Sequence, residues 1–415
     1  MLPEYIDVLI VGAGPTGLAL ACALQQAGVD HLLIDALEAG QGLSRAAVVH
    51  AHTLEMLARI GVAAPLEAEG IPLSRFTVRD RDRPLLGVGF ERLPSVFRHI
   101  LMVPQSTTEA VLAARLESLG GRIHRGVEAL VAARGAEGAT VRVRTKAGER
   151  MIGARFVVGA DGMHSVIRAA AGIPFDGETY GESFALADVR MDWPLRDEVS
   201  LFFSPAGMMV VAPLPDGAFR IVATVEEGTE PKDLAEIQAL LDARGPGGGA
   251  AWLRAVVWTS RFRVHHRLAG RYRAGPFLLM GDAAHVHSPA GGQGMNTGIV
   301  DAVVLGEALA RVVRDGEGPA LLDHYTALRR PAAAQVLAFA SRLTRIATLR
   351  SRPGRLVRNL LLRLLDRLPP FKRKLTMALS GLGRRPLARL PAGAGARPRP
   401  RRPATAVRNA ASASA

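Results

Sequence analysis

A short apolar run, Ile6–Val11, ends directly in Gly12-Ala13-Gly14-Pro15-Thr16-Gly17, and no other stretch of the chain limits the fold so tightly. The run has the β-branched character of a buried strand, and the glycine turn opens an apolar helical segment, Leu18–Ala27, that Gly28 stops. His31–Asp35 then reads as a second buried strand ending in an acid, which completes a βαβ unit. In such a unit Gly12 permits the tight turn and Gly14 lets a pyrophosphate approach the backbone. Gly17 lets helix and strand pack closely. Pro15 suits the first helical turn, where a missing N–H costs nothing. The helix N-terminus offers its N–H groups and positive dipole end to phosphates. Asp35 follows Gly17 by 18 residues, where an acid can bind ribose hydroxyls. Nucleotide binding follows from this unit, but the identity of the dinucleotide does not.

Length and charge narrow the rest. With 415 residues, 48% apolar and 22% charged, the chain can bury a core, and its length allows two or three domains. The single cysteine, Cys22, excludes an internal disulfide and reads as a small buried residue. No basic lead-in precedes the first apolar run, and the most apolar stretch, Val8–Leu24, is too short and too broken to span a bilayer. A soluble cytoplasmic protein is expected. Of 52 basic and 38 acidic residues, 19 basic and only Asp366 lie between Arg342 and Arg408, leaving 33 basic and 37 acidic residues elsewhere. The basic excess is therefore a property of the C-terminus. It is not the folded basic face of a nucleic-acid binder, and no nucleic-acid partner is expected.

Short alternating segments at 71–99 and 183–264, with Ser200–Phe203, Met208–Pro213 and Phe219–Val225 as the best strands, predict an antiparallel sheet domain made from two insertions. Phe277–Met280 predicts another buried strand, and Thr297–Val313 a long helix. Arg342–Leu368 predicts one helix whose leucines pack on the core while its arginines face water. From Arg384 onward, Pro, Arg, Gly and Ala predict a disordered tail.

The segment after Phe277 carries the discriminating chemistry. A buried strand delivers Asp282 beside small residues, where its carboxylate can accept hydrogen bonds from a sugar-alcohol chain. A Gly-rich loop then opens the helix from Thr297, and its unpaired N–H groups favour an electron-rich ring. Three motifs, GAGPTG at 12–17, VVGADGMHSVIR at 157–168 and GDAAHVHSPAGGQGMN at 281–296, resemble in order and spacing those of the FAD-dependent aromatic hydroxylases, the class A flavoprotein monooxygenases of para-hydroxybenzoate hydroxylase-like fold. The similarity extends over roughly residues 5–345.

The resemblance implies an α/β (α+β) protein with a discontinuous Rossmann-like FAD-binding domain (1–70, 100–182 and 265–345). An inserted, mainly antiparallel sheet domain (71–99 and 183–264) would cover the substrate. Helices at 346–383 and a basic tail at 384–415 would follow. Gly12, Gly14, Pro15, Thr16, Gly17 and Asp35 would hold the ADP part of FAD. Arg45 (in LSRA) and Gln105 (in VPQSTTE) would lie by the flavin. Asp161 and Gly162 match a signature linked to both FAD and NAD(P)H, and Asp161 is also placed to cap the helix from Ser165. Gly281 and Asp282 would bind the ribityl chain, while Pro289, Gly292, Gly294, Met295 and Asn296 would line the isoalloxazine ring.

The implied reaction uses NAD(P)H and O₂ to hydroxylate an aromatic or polyketide-like small molecule through a flavin C4a-hydroperoxide. No second glycine fingerprint follows a strand, so NAD(P)H would dock only transiently. Phe202, Phe203, Met208 and Met209 are candidates for an apolar substrate pocket, although strand alternation puts some of them in ordinary core. Departures from the family pattern stand at His52-Thr53 and Val303-Val304, and the 70 residues after Arg345 are too few and too basic for the thioredoxin-like domain of some members. The pairs His50/His52, His265/His266 and His285/His287 lack the partners of a metal site. No substrate acid or base is assignable, nor is an oligomeric state. Same-fold alternatives are a reductase, a membrane-associated quinone-type hydroxylase or a halogenase, though the tryptophan-halogenase motif W-x-W-x-I-P is absent. A non-catalytic binder using the basic C-terminus is the alternative of another class, and weak membrane association of that segment stays open.

Overall fold

A computed structural model describes residues 2–40, 46–226, 233–247, 249–288, 291–349 and 351–392. The expected Arg45 and Pro289 and the tail from 393 lie outside them.

The architecture is the mixed α/β arrangement expected. Strand Tyr5–Val11 sits at the centre of an eight-stranded sheet, parallel to Gly148–Gly159 on one side and His31–Asp35 on the other. Ile123–Arg125 and Phe277–Leu279 extend it in parallel, and the hairpin Glu128–Gly135/Gly138–Thr145 attaches to Gly148–Gly159. Val8, Leu9 and Ile10 are fully buried, as a parallel strand covered on both faces requires. Helix Pro15–Gln26 packs on Gly294–Val313, so the two glycine-rich turns that begin these helices lie at the same end of the sheet.

A second eight-stranded sheet contains Arg75–Asp80, Arg83–Gly89, Val199–Ser204, Gly207–Pro213 and Phe219–Val225, with the long strands Phe175–Asp192 and Trp252–Ala269. It is antiparallel except where Val199–Ser204 runs alongside Arg75–Asp80. Segments 71–99 and 183–264 thus meet in one sheet, and Phe175–Asp192 reaches into it from earlier than residue 183.

The C-terminus differs from expectation in three ways. The helix expected over Arg342–Leu368 is two helices, Leu321–Ala347 and Arg352–Asp366, because Ser351 accepts from Gly354 N and starts a new helix with Pro353 in its first turn. The second helix packs Leu362 inward but turns Leu356, Leu360, Leu361 and Leu364 outward, against the expected packing. Residues 382–388, with the first part of the expected tail, form a 3₁₀ helix in which Leu382 and Ala388 are buried. Arg329 fixes this segment by donating to Leu387 O at 3.1 Å.

Candidate active site

One cavity of about 680 Å³ runs from the first glycine turn, past the loop before Gly294–Val313, to the inner face of the second sheet. Each glycine of the first turn has its own reason. Gly12 has φ +104, and a Cβ there would collide with the Ala160 carbonyl. A Cβ on Gly17 would overlap Gly12 O, so the helix could not begin so close to the strand. Gly14 is different: its φ of −72 suits any residue and nothing lies within 4 Å of its Cβ position, so its open side faces the cavity. Pro15 occupies the first helical turn beside it, and Thr16 packs against Gly281 and Gly298.

Asp35 anchors the turn. Its Oδ2 accepts from Ala13 N at 2.6 Å and its Oδ1 from Leu37 N at 2.8 Å, so the carboxylate is held rigidly at the cavity wall with lone pairs to spare. Asp161 Oδ2 accepts from Ile167 N at 3.2 Å, at the start of helix Val166–Ala170, while its buried Oδ1 has no partner. Burial raises its pKa above the ordinary range. Gly162 is left-handed and open to the cavity. Gln105 accepts from Ala46 N and donates to Glu109, which fixes its amide at the wall.

At the same, carboxyl end of the parallel strands, Asp282 sits in the 3₁₀ turn Gly281–Ala283 that follows Phe277–Leu279 and lines the cavity. Gly292, Gly294 and Met295 line it too. Asn296 does not. It is buried beneath the loop, accepting from His50 N at 2.8 Å and donating to Val48 O at 2.8 Å and Gly292 O at 2.7 Å. Its role is to clamp the loop to the strand Val48–Val49.

Sequence reasoning missed the groups that brace this loop. Asp301 is fully buried and receives His285 Nε2 at 2.7 Å, Arg329 Nε at 2.7 Å and Gly281 N at 3.3 Å. Gln293 accepts from Arg384 at 2.6 Å and donates to Leu379 O at 3.0 Å, tying the loop to the C-terminal segment. Arg220, on the second sheet, reaches the cavity wall with both arms on Asp188 at 2.7 and 2.8 Å and a third bond to Ala46 O. His285, Asp301 and Arg329 lie on a strand and two different helices, 16 and 28 residues apart, so no local pattern joins them in the sequence.

The proposed substrate residues also sort differently. Met208 lines the cavity, whereas Phe202 and Met209 pack with Trp193 and Phe203 packs with Leu85 and Phe184. The apolar end of the cavity is made by Phe76, Phe90, Leu201, Met208, Val210 and Val222. Cys22 is buried, with its thiol pushed up to about 12 by burial, and is chemically quiet. Among the described residues no cluster of metal-ligating side chains occurs, and no helix is long and apolar enough to cross a membrane.

Two buried histidines give a pH signature. Burial holds His50 down to about 4, against weaker opposing hydrogen bonds, and holds His287 down to about 4 in the same way. An unfolded histidine titrates near 6.5, so between these values the unfolded chain binds protons that the folded chain refuses. Stability is therefore full above about pH 6.5 and declines as pH falls towards 4. Thermal melting should show that decline, and the double variant His50→Gln/His287→Gln should flatten it. An equally steep decline in the variant would assign it to other groups.

The donor set fits a flavin dinucleotide: an open glycine at a helix N-terminus, a pinned acid, a second acid at Asp282 and a glycine loop opening a second helix, all on one cavity. The comparisons agree. A family model described as FAD binding domain matches residues 5–340. The chain is 36% identical to 6-methylpretetramide 4-monooxygenase of Streptomyces rimosus over 374 residues, 89% of this chain and 67% of that protein. The solved anhydrotetracycline hydroxylase of Streptomyces rimosus superposes with a TM-score of 0.77 at 33% identity, covering 91% of this chain and 76% of that one. The p-nitrophenol 4-monooxygenase of Pseudomonas putida DLL-E4 shares the fold at 23% identity, with a TM-score of 0.83 over 92% of this chain and 99% of that one. With strand, turns, acids and cavity in the arrangement these proteins share, the chain belongs to the family of FAD-dependent aromatic hydroxylases and is an FAD-dependent monooxygenase.

Proposed function

We propose that the protein hydroxylates a phenol-like ring, of simple aromatic or polyketide type, with NAD(P)H as electron donor and O₂ as co-substrate. The observation that carries this reading is the continuity of the cavity: beyond the Gly292–Met295 loop it passes into an apolar chamber on the second sheet. The matched anhydrotetracycline hydroxylase supports a polycyclic occupant. When bound, FAD supplies the electron storage and oxygen activation that no side chain offers.

The chain's own residues hold and shield. Gly12, Gly14, Pro15, Thr16 and Gly17 would seat the diphosphate at the helix N-terminus, with Asp35 on the adenosine ribose. Gln105, Asp161, Gly162 and Gly281 would border the cofactor, Asp282 would take the ribityl chain, and Gly292, Gly294 and Met295 would border the ring. Arg45 and Pro289 are carried in this assignment by the resemblance alone. Asn296 would act through the loop that it clamps. Phe76, Phe90, Met208 and Val222 exclude water from the chamber where substrate would lie, and Arg220 offers the one guanidinium on its wall among the second-sheet residues described.

The test is oxidation of NADPH and NADH by the flavin-loaded protein with a panel of phenols and polycyclic quinones, with and without O₂. Substrate-stimulated, oxygen-dependent turnover with a hydroxylated product is expected. Turnover that ignores O₂ would overturn the proposal in favour of a reductase. The chamber assignment has its own check. Val222→Phe adds bulk to a side chain that faces the cavity, so flavin content should stay full while KM for the aromatic substrate rises roughly tenfold or more. An unchanged KM would place the substrate elsewhere.

A further inference from the structure

Helix Arg352–Asp366 packs its polar face inward. Arg358, only 5% exposed, donates to Ile346 O at 3.2 Å and lies 4.7 Å over the Phe203 ring. Asn359 donates to Asp80 at 2.7 Å, and Asp366 accepts from Gly87 N at 2.9 Å. Leu362 packs inward on the cluster around Phe203, but most apolar residues point out: Leu356 is 73% exposed, Leu360 62% and Leu364 50%, with Val357, Leu361 and Leu368 beside them. At about 100° per residue the five on the helix fall within a sector of roughly 140° and span ~12 Å, with Leu368 just past the helix end. Exposed Arg352, Arg363 and Arg367 run along one border of it, with Arg373 and Lys374 on the next helix. The inward polar bonds prevent the helix from rolling to cover its leucines.

We propose that this stripe docks on the surface of an anionic lipid bilayer, with the helix lying in the interface. A helix of fifteen residues carrying four arginines cannot cross the bilayer. A high hydrophobic asymmetry with a basic border is what an interfacial helix needs: the leucines enter the acyl boundary while the guanidinium groups meet lipid phosphates. Charge decides against a second copy as the occupant. A two-fold contact sets the same patch against itself, and here that would oppose arginine with arginine. The only acid among 19 basic residues from 342 to 408, Asp366, is already bonded inward to Gly87 N and to Lys372. The helix packs on strand Arg83–Gly89 of the second sheet, so docking would bring that sheet to the lipid surface.

The test is cosedimentation of the full-length protein with vesicles of phosphatidylcholine alone or mixed with phosphatidylglycerol, at low and high salt. Binding to the anionic vesicles at low salt is expected, with little to the neutral ones. Leu360→Gln/Leu361→Gln/Leu364→Gln should weaken it roughly tenfold or more while melting temperature and flavin content stay unchanged, because these side chains face solvent. Arg363→Glu/Arg367→Glu should weaken it as well. Full binding by the leucine variant would overturn the proposal, since basic residues alone would then hold the vesicles. So would failure to bind anionic vesicles, whether the protein stays monomeric or forms a dimer that the leucine variant abolishes. The readout is binding, so it stands apart from the hydroxylase assay.

Discussion

Gly14→Glu is expected to give a folded, colourless protein. The backbone at residue 14 has φ −72 in extended conformation, which any L residue adopts, and its Cβ position opens onto free space. The new side chain therefore costs the fold little. It places a carboxylate at the N-terminus of helix Pro15–Gln26, where the dinucleotide phosphates must sit, and like charge in a partly desolvated pocket should weaken FAD binding by on the order of a thousandfold. Gly17→Ala should do the reverse. Its Cβ would overlap Gly12 O, so strand and helix must separate, and stability should fall by ~1–3 kcal/mol or more as in other overpacked sites. Flavin titration followed by fluorescence, with a urea melt of each apoprotein, separates the two effects. Equal losses of stability in both variants would show that the turn is a structural unit without a binding role at Gly14.

The same turn shows how far the sequence could be read. Strand, turn, helix and second strand were legible because each is specified locally: a short β-branched run, glycines that backbone geometry demands and an acid at a fixed interval. The mixed fold followed from the second run of alternating segments. Tertiary pairing was not local. Asn296 sits in the motif and reads as a ring contact, yet its amide is spent on Val48, His50 and Gly292, which come together only in three dimensions. Arg220 lies in an ordinary strand pattern, and only the fold brings it to Asp188 and the cavity. The C-terminal helix failed for a physical reason too: periodicity reveals that a helix is two-faced, but not which face a neighbour will take. Arg358 won the buried position because backbone carbonyls and the Phe203 ring satisfy its guanidinium there.

The second large effect is expected from Asp301→Asn. Burial opposes ionisation of this carboxyl, but Arg329 and His285, as charges and as hydrogen-bond donors, outweigh it and hold the pKa below the ordinary range. The variant removes that charge and leaves Arg329, only 2% exposed, without its counter-ion. Breaking a buried pair in this way costs about 3–5 kcal/mol, which a urea midpoint would register clearly. The loss should also reach the cofactor, because Asp301 accepts from Gly281 N next to Asp282. Replacing both partners with apolar groups, Asp301→Leu/Arg329→Met, should recover most of the stability, since the buried charge is gone. It cannot restore the bond to Gly281, so FAD affinity should remain roughly tenfold low in the double variant, as for other lost supporting contacts. Recovery of both stability and affinity would reduce the network to a folding device. Recovery of stability alone would show that a residue outside every motif holds the acid-bearing turn in place for the flavin.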